Sequence, residues 1–218
     1  MSRGIVIAID GPAGAGKSTV SKMLARELDL RYLDTGAMYR ALALKASRQG
    51  IDLSDGDAIS RLMAGTRIEF GSGDPQPVIL DGEDLTGQIR TLEVGEMASK
   101  ISTLPAVRAA LVHRQQEMCR EGNVVLEGRD ATTVIAPDAD VKVYLTASLE
   151  ERAKRRTLEL GDAPTAQFEN VRNQIVMRDH RDITREDSPL KVAEGAMLIE
   201  SGGLTPEEVV ERIKSQAS

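Results

Sequence analysis

Residues 4–20 read GIVIAIDGPAGAGKSTV. The first seven form a nearly continuous β-branched run, the pattern of a strand covered on both faces in a parallel sheet. After a glycine-rich turn, Val20, Met23, Leu24 and Leu28 recur at the helical period. Between strand and helix, Gly11-Pro12-Ala13-Gly14-Ala15-Gly16-Lys17-Ser18 satisfies G-x-x-x-x-G-K-[ST] in the context that motif requires. Small residues let backbone N–H groups close around phosphate oxygens, and the helix N-terminus adds partial positive charge. In such a loop Lys17 neutralises the β and γ phosphates, and the Ser18 hydroxyl is available to ligate Mg²⁺.

Outward from this unit, further strands are expected at residues 31–33, 123–127 (NVVLE), 141–146 (VKVYLT) and 196–200 (AMLIE), most of them separated by helical segments. That alternation implies right-handed crossovers and a mainly parallel α/β sheet. One stretch breaks the rhythm. Residues 67–70 (RIEF) and 77–80 (PVIL) are short β-like runs, and Asp81-Gly82 is a tight-turn signal before residues 83–86. They predict a small antiparallel insert at about residues 59–102, outside the main sheet. Residues 161–165 (GDAPT) form a second loop, read as a mobile flap. Thr205-Pro206-Glu207-Glu208 opens a final helix with a hydroxyl cap and early acids.

Composition narrows the function classes. The 218 residues carry 28 Lys and Arg against 34 Asp and Glu, a formal charge of −6, with 41% hydrophobic residues. Disorder and collagen-like structure are ruled out. With three Tyr, two Phe and no Trp, a single-strand nucleic-acid binder that stacks bases on aromatic platforms is disfavoured. The acidic balance argues against any bulk polyanion partner. One cysteine, Cys119, supports neither an internal disulfide nor a multi-cysteine zinc site. No apolar run approaches the length of a membrane span and no signal peptide is evident, so a cytoplasmic protein is expected.

A phosphate-binding loop identifies the donor end but leaves the acceptor open. A guanine-reading Asn-Lys-x-Asp segment is missing, and a nucleic-acid motor would be larger and more basic. A phosphotransferase acting on a small molecule fits, with a non-catalytic nucleotide sensor as the competing class. Arginine placement favours transfer. Arg178, Arg181, Asp182 and Arg185 fall at i, i+3, i+4 and i+7, one face if the segment is helical, and Arg152, Arg155 and Arg156 cluster similarly. Planar guanidiniums bind phosphate bidentately, although the same spacing also suits a solvated face of ion pairs. Residues 34–40 and 127–130 follow strands, at the sheet edge where α/β folds hold ligands.

The segments GPAGAGKST (11–19), LDTGAMYRA (33–41), EGRDATTVIAPDADVKVYLTAS (127–148) and RDHRDITREDSPL (178–190) resemble the bacterial cytidylate kinase family in order and along essentially the whole chain. The resemblance implies the α/β P-loop nucleoside-monophosphate kinase fold. That fold has a parallel core sheet flanked by helices, a small antiparallel β-containing monophosphate-binding insert and a short lid. It implies a single P-loop kinase chain whose core is about residues 1–35, 103–150 and 187–218. The acceptor region is about 36–102, with its β insert at about 66–90, and the lid about 151–168. The implied activity is direct in-line transfer of the γ-phosphate of ATP, with Mg²⁺, to CMP or dCMP; a monomer is expected, and the composition read above argues against nucleic-acid and membrane partners. By motif, Gly11, Pro12, Ala13, Gly14, Ala15, Gly16, Lys17, Ser18 and Thr19 hold ATP, with Ser18 as the metal ligand. Thr35, Arg40, Ser99 (in EMASKIS), Arg108 (in LPAVRAAL), Gly128, Arg129, Asp130, Arg178, Asp182 and Arg185 bind the acceptor. Lys17, Arg129, Arg155, Arg156, Arg178 and Arg185 are the implied catalytic cations, Arg155 and Arg156 on the lid side. The family often has serine where Thr35 stands, and the hydroxyl is retained. His113, His180 and Cys119 match no role.

Cytosine presents an N4 amino donor beside N3 and O2 acceptors, so Asp130 is suited to accept from it and Arg108 and Ser99 to donate. Uracil would leave buried polar groups unpaired, at about 1–3 kcal/mol for each neutral group. In-line transfer also requires water to be excluded, and closure of the flap on acceptor binding is expected.

Overall fold

Strand β1 (Val6–Asp10) is buried at every position, as its unbroken β-branched run demands. The structure is a computed structural model and describes residues 3–73, 75–161 and 167–216. After β1 come α1 (Lys17–Glu27), β2 (Arg31–Asp34), α2 (Thr35–Arg48), α3 (Gly56–Ala64), β3 (Ile68–Phe70), β4 (Val78–Leu80) and β5 (Glu83–Asp84). They are followed by α4 (Leu92–Ile101), α5 (Pro105–Cys119), β6 (Val124–Gly128), β7 (Val141–Thr146), α6 (Leu149–Leu160), α7 (Phe168–Thr184), β8 (Met197–Glu200) and α8 (Pro206–Lys214). The chain divides into two compact units, Met1–Asp34 with Gln115–Ser218, and Thr35–Arg114.

The first unit is built on a five-stranded parallel sheet in the order β2-β6-β1-β7-β8. β1 is central, and the chain leaves it first toward β2 and β6 and later toward β7 and β8. The loop after β1 therefore lies at the strand-order reversal, where open α/β sheets form their ligand crevice. Ile7, Ile9, Val125, Val143 and Leu145 of the sheet pack with Val20, Leu24 and Ala25 of α1 and Val209, Val210 and Ile213 of α8. Thr205 and Glu208 close a reciprocal capping box on α8, with Pro206 behind them.

In the second unit α2 starts at Thr35, directly on the end of β2, and buries Ala37, Met38, Ala41, Leu42 and Ala46. β3, β4 and β5 form a three-stranded antiparallel sheet, the expected insert. The β4–β5 turn has positive φ at both Asp81 (52°) and Gly82 (90°), the geometry that matches hairpin twist. Asp81 also accepts from the Arg67 N–H at 2.8 Å and from Lys45 Nζ at 2.5 Å, which ties the turn to α2.

One expectation needs correction. Helix α7 stops at Thr184, and Arg185 continues in extended backbone (φ −63°, ψ 142°), so the four-residue helix face loses its last member. After β6 and the segment 127–130, the chain forms a π-helical turn at Ala131–Ile135. Of the predicted flap only Gly161 is described; residues 162–165 lie outside the described residues. Among the described residues no helix is long and apolar enough to cross a membrane.

Candidate active site

The loop 11–16 is shaped by two close approaches. A Cβ at Gly11 would lie 1.9 Å from the Leu145 carbonyl oxygen, and one at Gly14 (φ 76°) 2.6 Å from that of Arg152. Only glycine lets the backbone pass there. Helix α1 has Gly16 at its N-cap, no side-chain cap and no acid in its first turn. Its leading N–H groups are left for an anion to satisfy. Lys17 is 6% exposed and its Nζ donates to the Gly11 and Pro12 carbonyls, each at 2.8 Å. Burial, with Arg129 close by, lowers its pKa to about 7. A buried cation facing other cations is a group prepared for phosphate.

Those cations form a cluster around Asp182, which is 3% exposed. Arg129 Nε donates to Asp182 Oδ2 at 2.8 Å, Arg178 Nε lies 3.9 Å from the same oxygen, and Arg185 Nη1 lies 3.6 Å from Oδ1. Arg185 Nη2 also lies 3.8 Å from Asp130 Oδ1. Three guanidiniums thus gather on Asp182, with Asp130 beside Arg185. Burial works against the Asp182 charge, but Arg129, Arg178 and Arg185 outweigh it and hold the carboxyl below its ordinary value. Arg155 and Arg156 are engaged differently. Arg155 donates to the Ser201 carbonyl at 2.8 Å and hydroxyl at 2.9 Å and to the Ala15 carbonyl at 3.4 Å, and Arg156 pairs with Glu159 at 2.9 Å.

In the second unit, Thr35 is buried at the start of α2 and Arg40 is half-buried on the same helix. Ser99 of α4 is 3% exposed, and its hydroxyl is buried with no hydrogen-bond partner among the described residues. Arg108 of α5 is 2% exposed, donates to the Ser102 carbonyl at 3.3 Å and lies 5.8 Å from the centre of the Tyr39 ring. A buried hydroxyl such as that of Ser99 is a group that a polar base could satisfy.

Comparison with known proteins now decides the family. The family model described as "Cytidylate kinase" matches residues 7–218. The chain belongs to the cytidylate kinase family. It is 47% identical over 209 residues to the cytidylate kinase of Carboxydothermus hydrogenoformans, covering 95% of this chain and 94% of that one. It is 50% identical over 208 residues to the cytidylate kinase of Desulforamulus reducens, with 95% and 94% covered. A solved structure of a gluconokinase from Sinorhizobium meliloti matches with a TM-score of 0.51 at 14% identity, over 99% of this chain and 92% of that one. At that identity the likeness shows the fold alone.

Within this cytidylate kinase fold, the structure brings in Asp10, which sequence reasoning passed over, and sets side by side two acids noted only as strand-end residues. Asp10, completely buried, accepts from the Ala131 and Thr132 N–H groups and the Thr132 hydroxyl at 2.8, 2.8 and 2.6 Å, so it fixes the turn that begins at Asp130. Glu127 accepts from the Tyr32 hydroxyl and is hydrogen-bonded to Ser18. Burial, with Asp34 opposite it across the β2–β6 pairing, raises its pKa. Asp34 and Glu127 were visible as strand-end acids, but nothing along the chain indicated that β2 and β6 are neighbours.

Proposed function

We propose that this protein catalyses ATP-dependent phosphorylation of CMP and dCMP to CDP and dCDP by direct transfer, without a covalent enzyme intermediate. The observation that supports the reading best is the gathering of Arg129, Arg178 and Arg185 on Asp182, with Arg129 and Arg178 close enough to Lys17 of the phosphate-binding loop to act on its charge. A nucleotide sensor needs the loop but not this second cationic centre. In our reading residues 11–19 hold ATP, with Lys17 on its phosphates. Arg129, Arg178 and Arg185 spread the charge of the transferring group, and Asp182 orients them. Thr35, Arg40, Ser99 and Arg108 of the second unit, with Gly128 and Asp130 of the first, are read as acceptor-binding. The lid role of Arg155 and Arg156 belongs to the same proposal, as do a core of about residues 1–35, 103–150 and 187–218, an acceptor region of about 36–102 and a lid of about 151–168.

The Ser18 hydroxyl, hydrogen-bonded to Glu127 beside Asp34, is a hard-oxygen environment that suits Mg²⁺. Bound there with ATP, the ion would neutralise donor phosphate charge. We also read the protein as a cytoplasmic monomer. A free, buried thiol at Cys119 is compatible with a reducing compartment, and sedimentation at the mass of one 23.6 kDa chain would support the oligomeric reading.

The test is ADP formation from Mg·ATP with CMP, dCMP, UMP, AMP, GMP and shikimate offered singly. Strong stimulation by CMP and dCMP is expected. Stimulation by another acceptor would keep a kinase but overturn the cytosine assignment, and none at all would favour the sensor. Asp130→Ala is expected to raise KM for CMP by about tenfold, the loss of one buried polar contact, with KM for ATP unchanged.

A further inference from the structure

The backbone of Ala13 is held on both sides of its Cα, at the N–H and at the carbonyl, by two side chains that the transfer mechanism does not use. Its N–H donates to Asp179 Oδ1 at 3.1 Å, and its carbonyl accepts from Arg152 Nη1 at 3.0 Å. The two side chains are joined to each other, Arg152 Nη1 to Asp179 Oδ2 at 2.5 Å, and are only 11% and 13% exposed. Arg152 Nε is anchored in turn on the Ala147 carbonyl at 3.0 Å.

From this we infer that Arg152 and Asp179 are positioning residues for the ATP-binding loop, a clamp from α6 and α7 that holds its backbone in binding geometry before phosphate arrives. A largely buried ion pair seldom outdoes apolar packing in stability, so its place on the two successive peptides that flank Ala13 calls for another role. The loop supplies one. Its N–H groups must converge on an anion, and without the anion their dipoles and the Lys17 charge repel one another. Something other than phosphate must hold them. Gly14 follows Ala13 in left-handed backbone and passes under the Arg152 carbonyl, while Ala15 is braced separately by Arg155 and the Ser201 hydroxyl. The loop is therefore supported on both sides of Gly14.

The inference rests on the loop being the ATP site and is independent of which acceptor is used. Steady-state kinetics with ATP and CMP varied separately test it on the full chain. Asp179→Ala should raise KM for ATP by about tenfold or more, on the scale of a misplaced binding group. KM for CMP should stay within about twofold of wild type. Asp179→Asn retains an oxygen for the Ala13 N–H and should recover most of that loss. A parallel change for both substrates, wild-type kinetics in Asp179→Ala, or no recovery in Asp179→Asn would overturn the clamp. Should Asp179→Ala show no cooperative melt, Arg152→Lys carries the test, with the same ATP-selective loss expected and an equal or absent effect overturning it. If the wild type proves indifferent to CMP, the acceptor reading has failed, and calorimetric Kd values for Mg·ATP replace KM with the same expected ordering.

Discussion

Lys17 and Asp182 show how buried charge divides its cost between stability and function. Lys17 is folded onto two loop carbonyls, and burial with Arg129 nearby lowers its pKa to about 7, so its surroundings disfavour the charged form. Lys17→Met is therefore expected to cut CMP-dependent ADP formation by about 10²-fold or more, as for a lost charge-stabilising donor, while the melting temperature stays level or rises. Loss of activity and melting temperature together would contradict this. Asp182 is the opposite case, because its removal strands Arg129 and Arg185 in a buried site. Asp182→Asn should cost about 3 kcal/mol or more at pH 7. Its folded pKa lies below the unfolded value, so its contribution is complete above the ordinary carboxylate range and disappears as pH falls through the folded value. The stability gap between wild type and variant should thus be widest at neutral pH and narrow below about pH 4, as urea unfolding at pH 7 and pH 3.5 would report. A gap that ignores pH would refute the charge-based account.

At the scale of elements, the strand–loop–helix of residues 4–27 was readable because strand burial, glycine spacing and helix period agree over one continuous stretch. The insert was readable for a similar local reason, the Asp81-Gly82 signal between two β-like runs. Gly82→Val places a β-branched residue at φ 90° and should destabilise the protein by about 1–2 kcal/mol, measured by denaturant titration, with the far-UV spectrum retained. No change would mean the turn has an alternative geometry. The end of α7 was not readable. Arg185 continues the helical spacing in sequence, but it leaves the helix where Leu190 N–H bonds back to the Asp182 carbonyl at 2.8 Å and the Arg185 side chain reaches Asp130. That termination depends on a partner about 55 residues away, beyond any local pattern.

For the whole molecule, ATP binding and stability are linked by mass action. Mg·ATP at 100 times its Kd should add about 2.7 kcal/mol, or roughly 5–10 °C in a chain of this size, and CMP should add a further increment when both are present. A melt unaffected by Mg·ATP would count against the donor site itself. Sequence alone determined the parallel α/β class, the donor loop and the family, since each is written in contiguous residues whose chemistry or order is specific. Which strand-end acids face each other, which arginines gather on Asp182 and which instead brace the loop were decided only by the tertiary structure. Strand order brings Asp34 beside Glu127, and chain reversal brings Arg129 to Asp182. The same arginine spacing carries Arg178 to the cationic cluster and Arg152 to Ala13. Spacing establishes only which face of an element a charge occupies, and its role depends on what the fold packs against that face.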